Sequence, residues 1–431
     1  PSFSLGWNIS KENFFKDNIS VINNLKIRYS WGQNGNKQIL NSFGYVTIMN
    51  QITAYPNENG DFQYGAIPSR PANLNLRWET SQQSDIGMEM GLLNNKLIFS
   101  ADRYVKSTID QLSEKANTPM YMGFVNKPYE NNGEVSNKGW EFDLSFREGT
   151  SEFKYNISFN ASYLKNEVIS YGSAFKNGYK MNIGDFATVY EPGFPVWYFK
   201  GYHALGIFQN QDEINAYVGP NGKPIQADAK PGDVKYEDFA GKVNGVIVME
   251  PDGKFDESDK IMLGKPMPDW TFGFSLSCQY KMFDISSFFQ GVTGNQIFFS
   301  AIQTSHASYN KPDYYYTERW TGPNTSTTFP RATREYTKNF KISNLNVSDG
   351  DYLRLKNLTI GFTLPEAISG RVGISKLRVY ASGTNLLTFT KYKGTDPEIG
   401  QLDMNNNYSF GIDRGFYPQA KMFSLGANVT F

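Results

Sequence analysis

The sequence predicts an all-β protein, a transmembrane antiparallel β-barrel wall rather than a soluble globular domain. Three observations carry this reading. Short segments alternate apolar and polar side chains with a period of two, aromatic residues make up 16% of the 431 residues, and short turns alternate with very long polar stretches. A strand that crosses a bilayer needs only about 9–11 residues and shows lipid at every second side chain. Averaged hydropathy is therefore a poor guide to such a chain.

The first strand sets Phe3, Leu5, Trp7 and Ile9 against Ser4, Gly6, Asn8 and Ser10. The next pairs Leu25, Ile27, Tyr29 and Trp31 with Asn24, Lys26, Arg28 and Ser30. Further along, Trp140, Phe142, Leu144 and Phe146 alternate with Glu141, Asp143, Ser145 and Arg147. Tyr155, Ile157, Phe159, Ala161 and Tyr163 follow, against Lys154, Asn156, Ser158, Asn160 and Ser162. Trp270 to Met282 carries the pattern with Cys278 on the apolar side, and the chain closes on Phe423, Leu425, Ala427, Val429 and Phe431. About eleven such strands are expected over one domain spanning 1–431.

Some strands are joined by short turns, such as Asn94-Asn95 and Glu148-Gly149-Thr150. Others are separated by long polar stretches rich in Gly, Pro, Asn and Tyr near 105–137, 166–267, 295–350 and 390–418. Short turns at one end and long loops at the other is the asymmetry of an outer-membrane barrel. A compact soluble domain rarely tolerates connections of that length.

Composition removes other classes. Lys+Arg 42 balances Asp+Glu 42, so no basic surface points to nucleic acid. Cys278 is the single cysteine and cannot form an intramolecular disulfide, and His203 and His306 leave little for a zinc site or a histidine-based triad. No run of about 18 apolar residues is present for a membrane helix. The chain opens at Pro1-Ser2-Phe3 in a strand pattern with no signal peptide, so a mature or truncated piece is expected.

A soluble β-sandwich or propeller also alternates. Against it, the polar faces carry full charges at Glu141, Asp143 and Arg147, which suits a wet lumen. Trp7, Trp31, Trp140, Tyr163, Trp270 and Tyr280 are expected at strand ends, as in an interfacial girdle. No internal repeat of about 20–50 residues is present. The alternating last strand ending on Phe431 is of the kind that barrel assembly machinery reads.

Several segments resemble SusC/RagA-type TonB-linked outer-membrane transporters. The most specific is Asp351-Tyr352-Leu353-Arg354-Leu355-Lys356-Asn357-Leu358-Thr359-Ile360-Gly361-Phe362-Thr363-Leu364-Pro365. It is followed by Leu377 to Thr390, by Lys391-Tyr392-Lys393-Gly394-Thr395-Asp396-Pro397-Glu398 and by Tyr417-Pro418-Gln419-Ala420-Lys421. Upstream, Pro1 to Trp7, Pro231-Gly232-Asp233-Val234-Lys235-Tyr236 and Leu263 to Trp270 are similar to the same family. The resemblance implies the C-terminal half of a barrel of about 22 strands, with the plug domain absent from this chain. It further implies a Gram-negative outer-membrane location and import powered through TonB, which would be contacted by the missing N-terminal part. A SusD-like surface lipoprotein partner is implied too, with glycan oligomers or peptides as substrate. The rival readings are an outer-membrane porin, a barrel enzyme, or a surface glycan-binding protein rich in β-structure.

Two stretches are candidate sites. Asp252, Asp256 and Asp259 space carboxylates along a glycine-containing loop, the chemistry of a structural calcium site. By resemblance, Asp238-Phe239-Ala240-Gly241 belongs to the same turn, but Lys242 to Pro251 is inserted between them. The other reading is a solvated turn held by Asx hydrogen bonds. Tyr309, Tyr314, Tyr315, Tyr316 and Trp320 offer flat apolar faces with polar handles, suited to sugar rings or extended peptides. Girdle or loop-packing aromatics is the alternative, and Asn405-Asn406-Asn407 is equally a sugar contact or a turn. A glycosidase pair among Asp256, Glu257 and Asp259 needs carboxylates facing across a cleft about 5–9.5 Å wide. Ser305-His306 lacks a G-x-S-x-G elbow for a lipase.

Overall fold

The computed structural model describes residues 1–36, 44–115, 119–124, 126–149, 152–172, 176–181, 185–300, 311–333, 337–400 and 407–431. Eleven strands are hydrogen-bonded in strict chain order. They are β1 (Ser2–Asn8), β2 (Ile22–Asn36), β3 (Glu79–Leu92), β4 (Leu97–Glu114), β5 (Tyr129–Gly149) and β6 (Phe153–Ser170). Then follow β7 (Trp270–Tyr280), β8 (Phe283–Thr293), β9 (Tyr352–Thr363), β10 (Lys376–Thr390) and β11 (Met422–Thr430). Among the described residues no helix is long and apolar enough to cross a membrane.

The chain divides into two compact units. The first comprises Pro1–Leu144, Ser162–Lys176 and Glu191–Val196. Its strands β1 to β4 pair antiparallel, and the register stacks like with like. Trp7, Ile27, Met88 and Ala101 form one apolar row. The adjacent row, facing the other way, runs Gly6, Arg28, Gly87, Asp102. Opposed side chains on an antiparallel pair share a face, so the period of two becomes a face that is either uniformly apolar or polar. The β3–β4 turn has Leu93, Asn94 and Asn95 at φ between 54° and 59°, and Asn23 Oδ1 accepts the Asn94 N–H at 2.6 Å. Asparagine tolerates this left-handed backbone better than other non-glycine residues, which is why this dipeptide reads as a turn.

The second unit comprises Ser145–Ala161, Asn177–Tyr190 and Trp197–Phe431. Here the apolar row is Cys278, Ile285, Ile360, Ala381, Leu425, and Leu425 is 88% exposed. Beside it runs an unbroken row of hydroxyls, Ser277, Ser286, Thr359, Ser382 and Ser424. A uniformly apolar row that is exposed to this degree costs free energy in water and none in lipid.

The long polar stretches differ from expectation. Strand β4 continues to Glu114 and β5 starts at Tyr129, so most of 105–137 is strand. Within 166–267, Thr188–Tyr190, Tyr198–Gly201 and Ile261–Gly264 form a small sheet, and Ala204–Ile207 pairs with Val234–Tyr236. From 295–350 and 390–418, Gln296–Phe299 pairs antiparallel with Val347–Asp349 and parallel with Ile412–Asp413. These pieces enclose their own cores: Phe199, Phe298, Ile342 and Ile412 in one cluster, Tyr202, Ile207, Val234 and Tyr236 in another. Burial of these aromatics and aliphatics offsets the entropy of ordering so much loop.

The expected girdle is met only in part. Trp7, Trp270 and Tyr280 stand at or near strand ends, whereas Trp31, Trp140 and Tyr163 lie inside β2, β5 and β6. Those strands are 15, 21 and 18 residues long and run well past the length that a bilayer requires.

Candidate functional site

Arg354 is a buried charge of the second unit held by three side chains. It sits in β9 beside a bulge: Phe288 pairs with Asn357 and Phe289 with Leu355, so Lys356 is skipped. Opposite, Leu355 pairs with Leu387 and Asn357 with Thr384, with Asn385 at φ 54° in the slack. The extra residue brings Arg354 onto the face of Asn357 and Thr359, the polar one. There Arg354, 3% exposed, donates to Asp396 Oδ1 at 2.6 Å, Glu398 Oε2 at 2.8 Å and Thr388 Oγ1 at 2.9 Å. Lys356 reaches both oxygens of Glu398, at 2.7 and 2.6 Å. Burial pushes the Asp396 carboxyl up, but Arg354 and the backbone N–H groups of Glu398 and Gln419 outweigh it and hold it below the usual carboxylate range. The 390–398 segment is thereby tied to the wall strand.

The acidic turn follows the Asx reading. Asp259, 1% exposed, accepts the N–H groups of Phe239 at 2.9 Å and Ala240 at 3.1 Å on one oxygen and Asp256 at 2.8 Å on the other. Asp256 caps Ser258, and Asp252 accepts the Lys254 N–H at 3.0 Å. Asp238 takes the N–H groups of Asp252 and Gly253, at 3.2 and 2.7 Å. Burial raises the carboxyl of Asp259 and that of Asp238 above the ordinary range, whereas the Ser258 hydroxyl and N–H lower that of Asp256. Among the described residues no group of three or more His, Cys, Asp or Glu side chains is gathered as a metal site requires. Asp252, Asp256 and Asp259 thus each accept backbone N–H groups of this loop. The inserted Lys242–Pro251 segment begins as a hairpin strand, Gly241–Val243, that pairs with Val246–Val248.

The aromatic run divides. Tyr309, like Ser305, His306, Asn405 and Asn406, lies outside the described residues. Tyr314 and Tyr315 pack on Phe329, with centroids at 5.8 and 5.2 Å, and burial pushes the Tyr315 hydroxyl up to about 12. Trp320 donates to Gln209 at 3.1 Å and packs against the Tyr202 and Tyr236 cluster. Its ring covers Gly232, at φ +90°, so closely that a Cβ there would lie 2.5 Å from Cε3. The next residue, Asp233, accepts from Arg331 at 2.7 Å and Asn339 at 2.9 Å, which accounts for the Pro-Gly-Asp motif as a loop lock. Tyr316 alone of the described four is largely open, 61% exposed, with Arg319 stacked 3.8 Å above its ring. Three of these four aromatics therefore build the loop core and one faces out. Phe431 lies just beyond β11 and is 90% exposed.

In the first unit, the polar face carries an ion network that alternation could not reveal. Arg28 bonds both oxygens of Asp102 at 2.6 Å and also reaches Glu89. The second unit repeats the device on its own strands, where Arg378 bonds Asp284 at 2.9 and 2.5 Å. In both cases a glycine makes room for the pair: Gly87 lies between Arg28 and Asp102 in register, and Arg378 reaches Asp284 diagonally over Gly361, which itself pairs with Asp284 and Tyr380. The sequence signal that could have found these pairs is a strand glycine at a polar position.

A family model described as TonB dependent receptor-like, beta-barrel matches residues 1–386. The chain is 34% identical over 442 residues to TonB-dependent receptor P3 of Formosa agariphila, covering 100% of this chain and 42% of that relative. It is 27% identical over 444 residues to TonB-dependent receptor SusC of Bacteroides thetaiotaomicron, covering 100% of this chain and 40% of the relative. Among solved structures, that of the RagAB peptide transporter is similar in fold, with a TM-score of 0.73 at 22% identity, covering 100% of this chain and 43% of that one. The chain thus spans about two fifths of the length of the proteins it matches.

Proposed function

This chain belongs to the TonB dependent receptor-like β-barrel family of the outer membrane, and on that premise we propose that it serves TonB-dependent import of nutrient oligomers. In this reading the chain supplies the C-terminal part of the barrel wall, its polar inner face and a set of folded loops. Its relatives are receptors rather than enzymes. The observation that carries the proposal is the eleven-strand sheet in chain order, with an exposed apolar row beside a row of hydroxyls and charges. Such a wall separates lipid from a wet interior.

The substrates proposed are glycan oligomers first, with peptides as the competing class. The loops would bind them, with Tyr316 and Arg319 offering an open ring and a cation. The partner proposed is a SusD-like surface lipoprotein seated on the folded loops. TonB would act through sequence outside this chain, and Phe431 would serve barrel assembly.

The test is uptake by cells that carry or lack the gene, using fluorescent oligosaccharides and fluorescent peptides of matched size. Gene-dependent glycan uptake that a protonophore abolishes is expected, as is co-purification of a surface lipoprotein. Uptake that survives the protonophore would make the barrel a passive porin. Gene-dependent peptide uptake without glycan uptake would move the substrate class, and hydrolysis of lipid or glycan by the purified protein would make it a barrel enzyme.

A further inference from the structure

The connection from β1 to β2 is longer than pairing requires. It leaves β1 at Asn8 and enters β2 at Ile22, so residues 9–21 join two strands that are already direct neighbours. At the same end of the wall, β3 reaches β4 through residues 93–96 alone. An outer-membrane barrel keeps such turns short at its periplasmic end.

The extra length is folded. Asn13–Lys16 form one helical turn, Asn18 Nδ2 donates to Phe14 O at 2.7 Å and the Ile19 N–H to Phe15 O at 3.0 Å. At the entry, Ser10 Oγ donates to Asn8 Oδ1 at 3.0 Å. Phe15 is buried beneath this turn, whereas Phe14 is 59% exposed. Successive helical residues point about 100° apart, so a turn that buries Phe15 must direct Phe14 elsewhere.

Trp7 shows where. The Phe14 ring lies 6.4 Å from that of Trp7, centroid to centroid. Trp7 heads the apolar row that continues through Ile27, Met88 and Ala101, and such a row is the lipid-facing side of the wall. Trp7 Nε1 donates to Glu12 Oε1 at 3.1 Å, so the turn satisfies the polar handle of the indole and leaves its ring 52% exposed. An indole with one wet end and one apolar face belongs at a membrane–water boundary. Lys11 and Lys16, both exposed, stand on either side of Phe14 in the chain. Their stems can lie along apolar surface while the ammonium groups stay at headgroup level. Because this surface continues a face that already meets lipid, lipid covers it without a further protein.

We propose that residues 9–21 form a phospholipid-binding anchor in the periplasmic leaflet, with Phe14 beside Trp7 at the acyl boundary and Lys11 and Lys16 on headgroup phosphates. Girdle aromatics stand on strands; here a connection that barrels leave in water is placed in the membrane boundary. The inference rests on the outer-membrane placement of the family and not on what the barrel imports.

The test uses the full-length protein in phosphatidylcholine nanodiscs, which leave both ends of the wall open to reagents. A nitroxide is placed at Phe14→Cys in a Cys278→Ser background, and its collisions with oxygen and with a water-soluble nickel chelate are read by electron paramagnetic resonance. Native Cys278, on the apolar row of the second unit, supplies the lipid reference. Asn59→Cys, at the exposed tip of the hairpin Met49–Pro56/Phe62–Pro68, supplies the water reference. Oxygen collision close to the Cys278 value is expected, with nickel collision well below the Asn59 value. Nickel collision equal to that at Asn59 overturns the proposal, because the turn then stands in water. Low collision with both reagents overturns it too, because protein then covers the turn. The wild type gives a second measurement that no substitution can disturb. Lys11 and Lys16 should be acetylated several times more slowly in the nanodisc than in phosphate-free maltoside micelles, each rate taken relative to the exposed Lys254. Equal relative rates in the two settings would remove the headgroup contact and the proposal with it.

Discussion

Arg28 bonds Asp102 across Gly87, the residue that separates them in register, at 2.6 Å to both carboxylate oxygens. A Cβ on Gly87 would lie 2.0 Å from Asp102 Oδ1 and 2.7 Å from Arg28 Nε. The missing side chain is therefore the condition for an ion pair that spans three strands. The same holds for Gly361, where a Cβ would lie 2.4 Å from Asp284 Oδ1 and 2.5 Å from Arg378 Nη2.

Gly87→Val should consequently destabilise the barrel by about 1–3 kcal/mol, through displaced charges rather than lost packing. Gly6→Ala, in the same row, meets only Lys26 Cε at 3.7 Å and should be silent. The shift of the folded band on heated electrophoresis gels separates the two. Equal behaviour of the two variants would refute the argument.

Arg354→Ala leaves the buried Asp396 without its cationic partner and takes one of two cations from Glu398. A loss of about 3–5 kcal/mol is expected for breaking such a pair from one side. Limited proteolysis should then cut near 390–398 in the folded protein, a site that wild type protects. Lys356→Ala, which removes the more exposed half of the clasp, should leave that segment largely resistant.

The Asp396 and Asp259 carboxyls should respond to pH with opposite sign. The Asp396 carboxyl is held below its ordinary value of 3.8, so the stability it contributes is present above that value and is lost as pH falls through the lowered one. The Asp259 carboxyl is raised by burial, so protonation between its folded value and 3.8 favours the folded turn. Cleavage mapped from pH 6 down to about pH 3 should open 390–398 before 238–260. The reverse order would contradict both assignments.

Calcium should not matter to the 238–260 turn, because its carboxylates already accept backbone N–H groups. EDTA is expected to leave its cleavage pattern unchanged. Asp259→Ala should destabilise it by about 1–3 kcal/mol through three orphaned donors. Calcium-dependent protection would assign a metal to this loop.

Tyr316→Ala and Trp320→Ala should separate binding from scaffolding. The first removes an open ring and should raise the concentration at which uptake saturates, with the folded yield unchanged. The second empties a packed position over Gly232 and should lower the folded yield, at a cost of about 3–5 kcal/mol if the site cannot close.

Alternation alone determined that this chain forms strands, about how many make the main sheet, and which of their faces are apolar. Those properties depend on side chains two residues apart, and that spacing is local. Even the phase slip at Lys356-Asn357, two polar residues in succession, stands in the sequence. Its meaning did not: only the pairing of β9 with both neighbours showed a bulge that delivers Arg354 to Asp396, 42 residues away. The bridges over Gly87 and Gly361, the inward packing of Tyr314, Tyr315 and Trp320, and the capture of Asp259 by Phe239 and Ala240 are likewise tertiary. Each depends on register between strands or on contacts between distant loops, which a pattern along one chain does not contain.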